Sequence, residues 1–392
     1  MQVGSPLDEA ATEWLDPTCV FLPSSTEQVS DAVSIFNGNG CPFAIRGGGH
    51  SAIRGAANID DGILVSMKNI RDVTLSPDGK TVAVGMGNTW AQVYEAIEPH
   101  GYMVVGGRFG TVGLGLALAA GFSYIINDRG LAVDNVAGHR VVLGNGTVVS
   151  ANENEHADLH WALKGASNNL GVVTHLVLET VPAEGVYGGR VTYPQSELRA
   201  LQKLTYDYQV KTAVEALDIH VLPTYVYDGA TNTTYGFSPV VYNKLADAPP
   251  ASLQPWLDVE HSNSTIRNRT YHDLATELVA GFPDGLVYVE YPYYSPSRAS
   301  LDADLAGHPR QTHYTFTVYP SEPYLSFVLQ KFSEICSSFA HIQGLAGLHT
   351  VMPITPRAIK KAGGNNPLGF DRARPGESLT GEFGALCPVR LK

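Results

Sequence analysis

Three glycine clusters constrain the fold of this sequence more than any other feature. The clusters lie at 47–49, 106–121 and 165–171 of the 392-residue chain. Glycine allows positive φ angles and lets a ligand or a second backbone approach the main chain closely. The first cluster follows the predicted strand Cys41–Arg46, and the third leads into the predicted strand Leu170–Leu178. The sequence therefore predicts loops at strand ends whose backbone could bind a ligand.

The first cluster is part of the hexapeptide RGGGHS at residues 46–51. A run of backbone N–H groups in such a loop is suited to bind an anion, typically a phosphate. The cluster lacks the GxGxxG spacing and the following helix of a Rossmann site, so that mechanism does not apply. An ordinary loop remains the alternative for the first cluster. Close packing of two elements remains the alternative for the second.

Length, charge and terminal sequence exclude several classes of protein. A chain of 392 residues suggests two domains. The net charge of −12 argues against a nucleic-acid binder, which needs a basic surface. No run of about 18 apolar residues predicts a membrane span. The N-terminus shows no signal peptide, and the four cysteines lack CxxC spacing, so no metal site is expected.

The pattern of apolar residues predicts an α+β protein whose two halves differ. The first half, to about residue 184, alternates short strands with glycine turns, whereas the second half is rich in tyrosine and alternates polar with apolar residues. Such alternation predicts an antiparallel sheet with one face covered. The predicted helices are Thr26–Asn37, Asn88–His100, Leu274–Leu278 and Ser326–Phe339. The other predicted strands are Gly62–Met67, Thr81–Gly85, Val136–Leu143, Gly146–Ser150, Val221–Tyr227 and Thr312–Tyr319.

The order and spacing of these motifs resemble those of a known family. The chain contains RGGGHS, then VVGGR, TVGLG and GFS, then LAVDNV, and finally DLHWALKG followed by NNLGVVT. This series is similar to the flavin-binding half of the berberine-bridge-enzyme-like flavoproteins, in the vanillyl-alcohol-oxidase superfamily. The fungal branch, which acts in secondary metabolism, is the nearest. The resemblance implies a PCMH-type FAD-binding domain over residues 13–184. It implies a substrate domain, an antiparallel sheet covered by helices, over residues 185–392.

The resemblance also implies the cofactor and the residues that hold it. The cofactor is FAD, held by the glycine loops, with a single covalent bond from His50 to the flavin. In this sequence the implied cofactor-binding residues are Arg46, Gly47, Gly48, Gly49, His50, Ser51, Gly107, Thr111, Val112, Gly113, Gly115, Gly121, Ser123, Asn135, Gly171 and Val173. A second flavin bond to a cysteine occurs in some family members, but this chain has Phe109 at that position.

The implied reaction is hydride transfer from a small-molecule alcohol, amine or pathway intermediate to the flavin, with O₂ as the electron acceptor. Tyr288 and Glu290 lie on a predicted strand and are weak candidates for the catalytic base. Two alternatives remain, a sugar oxidase of the same superfamily and a non-catalytic relative. The second arises because, compared with the family, the chain is expected to be shortened at both ends, with an incomplete substrate domain.

Localisation and assembly are less constrained by the sequence. Four Asn-x-Ser/Thr sequons, at Asn145, Asn232, Asn263 and Asn268, would be glycosylated in a secretory glycoprotein. The family is typically secreted, whereas the missing signal peptide leaves a cytoplasmic location open. The sequence does not indicate an oligomeric state, and it predicts neither a nucleic acid nor a membrane as a partner.

Overall fold

The computed structural model describes residues 15–51, 55–278, 312–341, 345–364 and 366–388. The strands, in chain order, are β1 (Cys19–Phe21), β2 (Phe43–Arg46), β3 (Ile63–Ser66), β4 (Val73–Leu75), β5 (Thr81–Gly85), β6 (Tyr102–Val104), β7 (Val136–Val142), β8 (Val148–Asn152), β9 (Val172–Pro182), β10 (Val186–Tyr193), β11 (Ile219–Val221), β12 (Thr224–Asp228), β13 (Thr233–Tyr242), β14 (Asn263–Ser264), β15 (Arg267–Arg269), β16 (Thr312–Val318), β17 (Leu345–Ile354) and β18 (Leu379–Pro388). The α-helices are α1 (Thr26–Gly38), α2 (Trp90–Ile97), α3 (Leu116–Ala119), α4 (Ile126–Arg129), α5 (Ala157–Leu163), α6 (Leu198–Asp207), α7 (Ala213–Glu215), α8 (Gln254–Asp258), α9 (Tyr271–Glu277), α10 (Glu322–Ser338) and α11 (Pro356–Ala362).

The described residues form two compact units. The first unit contains the described residues up to Glu184, together with those in two later segments, 270–280 and 360–372. The second unit contains the remaining described residues. The first unit is therefore built from three separate stretches of the chain.

The first unit is built on two sheets. Among its described residues, β1, β3 and β2 form a parallel sheet in that order. The second sheet has the order β4-β5-β9-β7-β8, with β6 also paired to β9, and its strand pairs are antiparallel. Helices α1 and α2 contribute buried side chains to the same core as these strands, including Val29 and Val33 of α1 and Trp90 and Val93 of α2. This core supports the loops that carry the glycine clusters.

The second unit is built on one large antiparallel sheet. Among its described residues the strand order is β14-β10-β13-β12-β17-β18-β16, with β11 also paired to β13 and β15 to β10. Tyr193, Tyr225 and Tyr227 lie in one buried cluster with residues of helices α6 and α10, such as Leu201 and Phe332. These helices therefore cover one face of the sheet. The α+β architecture, with an antiparallel sheet covered by helices, is confirmed.

Several element boundaries follow local signals in the sequence. Helix α1 begins after the N-cap Ser25, whose hydroxyl accepts a hydrogen bond from the backbone N–H of Gln28 at 3.3 Å. Helix α10 begins at Glu322, four residues earlier than predicted, because a proline is well suited to the first turn of a helix. Helix α9 likewise begins early, at Tyr271, after the N-cap Thr270. The predicted strand Val221–Tyr227 was wrong as one element, because it is divided at the proline that precedes Thr224.

The sequence pair Asn145-Gly146 favours a tight turn between two predicted strands, and β7 and β8 form a hairpin there. Gly146 has a φ of +84° in its turn, which an L-residue with a side chain rarely adopts. In the described part of the chain, every helix is too short or too polar to cross a bilayer.

Candidate functional site

The loop of residues 46–51 begins where strand β2 ends. The Arg46 side chain is buried, and its Nε donates a hydrogen bond to the Ala57 carbonyl oxygen at 2.9 Å. Gly49 has a φ of +74°, which turns the chain back immediately before His50. Arg46 therefore anchors the loop from the protein side, while the glycines and Ser51 form its surface.

This loop touches the second glycine cluster through backbone atoms. A Cβ added to Gly48 would lie 2.6 Å from the Cα of Gly113, and a Cβ added to Gly113 would lie 2.6 Å from the nitrogen of Gly48. Real Cβ atoms essentially never approach other heavy atoms below 3.0 Å. Gly115 has no heavy atom within 4 Å of its added Cβ, so open space lies beside it. The two glycine loops therefore form one cradle, defined here as residues 46–51 and 111–115.

Helix α2 supports the second loop of the cradle. The backbone N–H groups of Trp90 and Ala91 donate to the carbonyl oxygens of Val112 and Gly110, at 3.0 and 3.1 Å. The Tyr94 hydroxyl donates to the Gly107 carbonyl oxygen at 2.9 Å. Gly107 lies so close to the indole of Trp90 that a side chain at Gly107 would overlap the ring. The sequence predicted a helix over Asn88–His100 but assigned Trp90 and Tyr94 no part in the site.

His50 follows the positive-φ glycine of the cradle and is only partly exposed. Burial lowers the pKa of its imidazole from 6.5 to about 4. At neutral pH the ring is therefore uncharged, and an uncharged imidazole nitrogen is a nucleophile.

The other residues expected to bind the cofactor occupy turns and core positions of the first unit. Gly121 has a φ of +83° and packs closely against Ala132, and the Ser123 hydroxyl accepts a hydrogen bond from the Ile125 N–H at 3.4 Å. Gly171, with a φ of +132°, packs against strand β7, and Val173 belongs to the hydrophobic core. Residues 46–51 and 111–115 therefore lie together. Gly121, Gly171 and Val173 pack against other residues, and Ser123 accepts a hydrogen bond.

Asn135 uses its side-chain amide within the protein. Its Nδ2 donates to the carbonyl oxygens of Leu131 and Arg129, at 2.7 and 3.0 Å. Its Oδ1 accepts a hydrogen bond from the Nζ of Lys361 at 2.7 Å. Asn135 thus joins segment 360–372 to the rest of the first unit.

Two further carboxylates bind segments 270–278 and 360–372 to the rest of the first unit. The side-chain amide of Asn366 donates to Asp134 at 2.7 Å, and burial raises the pKa of this carboxyl group. Glu98 accepts hydrogen bonds from the backbone N–H groups of Tyr271 and His272, at 2.6 and 3.0 Å. These acceptors cap the first turn of α9. Sequence reasoning missed all of these contacts, because each joins residues more than 170 positions apart.

A pair of buried histidines lies in the same unit. The Nδ1 atoms of His139 and His160 are 3.1 Å apart, and each side chain is at most 4% exposed. Burial, together with the positive charges nearby, lowers the pKa values from 6.5 to about 3 for His139 and about 4 for His160. Both rings are therefore neutral at pH 7, and one Nδ1 donates to the other.

The histidine pair predicts that the protein loses stability in mild acid. In the unfolded chain both residues bind protons near pH 6.5, whereas in the folded protein they do so only near pH 3 to 4. The free energy of unfolding should therefore fall as the pH drops from 6.5 towards 4, by up to about 1.4 kcal/mol per histidine and pH unit. In urea titrations at several pH values, the free energy of unfolding should depend less on pH for His160→Phe than for the wild type. The exposed control His100→Gln should follow the wild type, and parallel curves for all three proteins would contradict the prediction.

Tyr288 and Glu290, the candidates for the catalytic base, lie outside the residues that the structure describes.

Known proteins resemble this chain at three levels. The sequence profile of a FAD binding domain matches residues 17–152. The FAD-dependent monooxygenase prx3 of Penicillium roqueforti is 32% identical over 363 residues, which are 90% of this chain and 67% of that protein. The bifunctional solanapyrone synthase of Alternaria solani is 39% identical over 202 residues, 52% of this chain and 39% of that protein.

Solved structures share the fold at low sequence identity. The 6-hydroxy-D-nicotine oxidase of Arthrobacter nicotinovorans matches with a TM-score of 0.72 and 20% identity, over 98% of this chain and 79% of that one. A berberine bridge enzyme variant matches with a TM-score of 0.71 and 17% identity, over 94% of this chain and 70% of that one.

The cradle fits the cofactor of these relatives. The two glycine loops meet through their backbones, and open space lies beside Gly115, where a pyrophosphate could lie against the main chain. A neutral histidine directly follows the glycines of the first loop. Together with the matching FAD binding domain, the long alignment to prx3 shows that the chain belongs to a family of FAD-dependent oxidoreductases, and it shares the fold of berberine bridge enzyme.

Proposed function

We propose that this protein is an oxidase that carries FAD through one covalent bond at His50. When bound, FAD supplies the acceptor for a hydride from a substrate C–H bond, and O₂ then takes the electrons as hydrogen peroxide. The substrate class is a small-molecule alcohol, amine or pathway intermediate. The residues of this chain bind and orient the cofactor, and one of them accepts the substrate proton.

The backbone contact between Gly48 and Gly113 is the observation that carries the proposal. Glycine at both positions lets the two backbones approach this closely, and the open space beside Gly115 leaves room for a diphosphate against the main chain. We assign this binding to Gly47, Gly48 and Gly49 of the first loop and to Gly113 and Gly115 of the second. Ser51, Thr111 and Val112 complete the surface of the cradle. We keep Gly107, Gly121, Ser123, Asn135, Gly171 and Val173 as proposed cofactor-binding positions. Arg46 anchors the first loop through its hydrogen bond to the Ala57 carbonyl oxygen.

The neutral imidazole of His50 supports the covalent bond. A ring protonated at pH 7 would have no free lone pair for attack, whereas a pKa of about 4 leaves the ring uncharged. The bond to His50 would replace a C–H bond of the flavin 8α-methyl group; the methyl and imidazole N–H protons would leave to solvent, and the two electrons would pass to O₂. A covalent bond retains the cofactor and raises its oxidising power, which suits it to substrates with strong C–H bonds. Phe109 cannot form the second bond that some relatives make through cysteine, so we assign a single bond.

A sugar oxidase is the second candidate, because a chitooligosaccharide oxidase and a xylooligosaccharide oxidase share the fold at TM-scores of 0.67 and 0.70. Their identities of 19% establish the fold alone. Because double attachment is frequent among sugar oxidases, Phe109 favours the alcohol, amine or pathway substrate.

Tyr288 and Glu290 remain our candidates for the base. The four sequon asparagines are all exposed, as glycosylation in a secretory pathway requires.

The test needs no knowledge of the substrate. Purified protein is precipitated with acid, and the visible spectrum of the washed pellet is recorded. A yellow pellet with one flavin per chain is expected. Native protein is then reduced with dithionite without oxygen and mixed with O₂, and hydrogen peroxide is measured.

One peroxide per flavin, formed faster than with free FAD, is the expected result. A colourless native protein would contradict FAD binding and favour a non-catalytic relative. Yellow protein that O₂ reoxidises no faster than free FAD would contradict the oxidase assignment. The monooxygenase names of the fungal relatives make a further comparison useful once a substrate is found. With ¹⁸O₂, an oxidase places the label in hydrogen peroxide, whereas a monooxygenase places one atom in the product.

A further inference from the structure

Helix α10 of the second unit carries large apolar side chains on its exposed side as well as on its buried side. Phe332 and Cys336 on the buried side belong to the core of this unit. Phe327, Ile335 and Phe339 are 55%, 49% and 41% exposed. The solvent side of a helix that packs on a sheet is ordinarily polar. Large apolar residues that recur along one exposed side therefore indicate an interaction surface.

These exposed residues lie on one row of the helix. Residues four positions apart are neighbours on a helix surface, so the row is continuous. The row, called here the α10 stripe, consists of Phe327, Lys331, Ile335 and Phe339. Rows with this spacing are the ridges that pack between the ridges of a second helix, at a crossing angle of about −50°. The α10 stripe therefore has the shape of a helix-packing surface.

The α10 stripe is symmetric about its own midpoint. Its four positions are evenly spaced, with a phenylalanine at each end. When a second copy of α10 packs antiparallel, Phe327 of one copy meets Phe339 of the other, and Lys331 meets Ile335. A two-fold interface requires such a pattern, because both protomers contribute the same surface. The phenylalanine pairs at both ends would each add a favourable aromatic contact.

The charges beside the α10 stripe are complementary in the same arrangement. Within one chain, the Nζ of Lys331 lies 2.5 Å from a carboxylate oxygen of Glu334 and 5.9 Å from the centroid of the Phe327 ring. In the antiparallel pair, the stem of Lys331 packs on Ile335 of the second copy, which brings its ammonium group beside Glu334 of that copy. A parallel pair would instead place Lys331 opposite Lys331, where like charges repel. Charge therefore favours the antiparallel pair.

We propose that the α10 stripe is the interface of a reversible homodimer in which two copies of α10 pack antiparallel. This inference concerns the second unit and does not depend on the proposed oxidase function. Two phenylalanines and an isoleucine, each about half exposed, together with the lysine stem, would bury on the order of 700 Å² in total. Interfaces below about 1,200 Å² are weak, so we expect a dissociation constant on the order of 10–100 μM.

Sedimentation equilibrium of the full chain over a range of concentrations tests the dimer. The wild type should pass from monomer to dimer as its concentration rises. Phe327→Glu should weaken the dimer at least about 10-fold, because its carboxylate would be buried against Phe339 of the second copy. The variant should keep its fold, since a glutamate four positions before Lys331 is favourable in a helix.

Leu245→Glu is the matched control, because Leu245 is a 57% exposed leucine of the same unit outside the α10 stripe. It introduces the same charge at an exposed apolar residue and should dimerise like the wild type. Far-UV circular dichroism and thermal unfolding check the fold of each variant. A wild type that stays monomeric at about ten times the expected dissociation constant would overturn the proposal. Unchanged dimerisation of folded Phe327→Glu would overturn it as well.

Cross-linking tests the antiparallel arrangement and does not require Phe327→Glu to fold. Phe327→Cys and Phe339→Cys are prepared separately and treated with a short bifunctional maleimide, alone and mixed in equal amounts. The mixture should give cross-linked dimer above the wild-type background, because residue 327 of one variant then lies beside residue 339 of the other. Either variant alone should stay at the background. No additional dimer in the mixture, or equal cross-linking of Phe327→Cys alone, would refute the antiparallel interface.

Discussion

Replacing His50 by alanine is expected to abolish covalent attachment of the flavin. Alanine offers no nucleophilic nitrogen, whereas the cradle glycines remain and can still hold FAD noncovalently. The native variant should therefore be pale or yellow, and acid precipitation should release all its flavin into the supernatant. The visible spectra of pellet and supernatant measure this directly, and the wild-type pellet should stay yellow.

A matched control is provided by His100→Ala, because His100 is an exposed histidine of the same unit. Its pellet should stay as yellow as that of the wild type. A yellow pellet from His50→Ala would show that another residue forms the bond. The pH dependence offers an independent check, since a histidine with a pKa of about 4 remains neutral down to pH 5. Attachment to the apoprotein should proceed at similar rates at pH 5.5 and pH 7.5.

Replacing Gly113 by alanine is expected to destroy the cradle. The new Cβ would lie 2.6 Å from the nitrogen of Gly48 and 2.7 Å from its Cα. Both clashing atoms belong to the backbone, so no side chain can rotate to relieve the overlap and the loops must separate. We expect a loss of about 1–3 kcal/mol in the free energy of unfolding, as for overpacked sites, and loss of most bound flavin.

Denaturant titration and the ratio of flavin to protein absorbance measure the two effects. Gly38→Ala is the control, because an added Cβ there has no heavy atom within 4 Å. It should leave the flavin content unchanged and should not lower the free energy of unfolding, because alanine is favoured over glycine in a helix. Gly48→Ala should reproduce the defect, since its Cβ would lie 2.6 Å from the Cα of Gly113. Full flavin content in both cradle variants would refute the binding role assigned to this contact.

Local sequence patterns predicted the elements that depend on neighbouring residues. The helix at 26–38 follows from its apolar spacing and from Ser25, and the hairpin at Gly146 follows from its turn pair. The strand Val221–Tyr227 was predicted as continuous because its β-branched and aromatic residues outweigh one proline in a pattern count. The backbone N–H missing at that proline divides the strand in the structure.

Predictions for the site were limited by contacts between distant residues. Glycines 47–49, 113 and 115 were recognised from order and spacing, because each loop carries its own signal. The contact between Gly48 and Gly113 has no local signal, since glycine at each position is compatible with many turns. The same limit applies to Asn135, whose partner Lys361 lies 226 positions later in the chain. A single sequence records the residue types of such a pair but not their contact.

The polar contacts of segments 270–278 and 360–372 constrain the order in which the protein can mature. The Glu98 carboxylate can accept its hydrogen bond from the backbone N–H of Tyr271 only after Tyr271 has been synthesised. The Asp134 carboxylate can accept the hydrogen bond of the Asn366 side-chain amide only after Asn366 has been synthesised. A ribosome that has released residues 1–184 has therefore not yet supplied all the parts of the FAD-binding unit. Its completion must wait until nearly the whole described chain has emerged, so nascent chains would present these carboxylates to water.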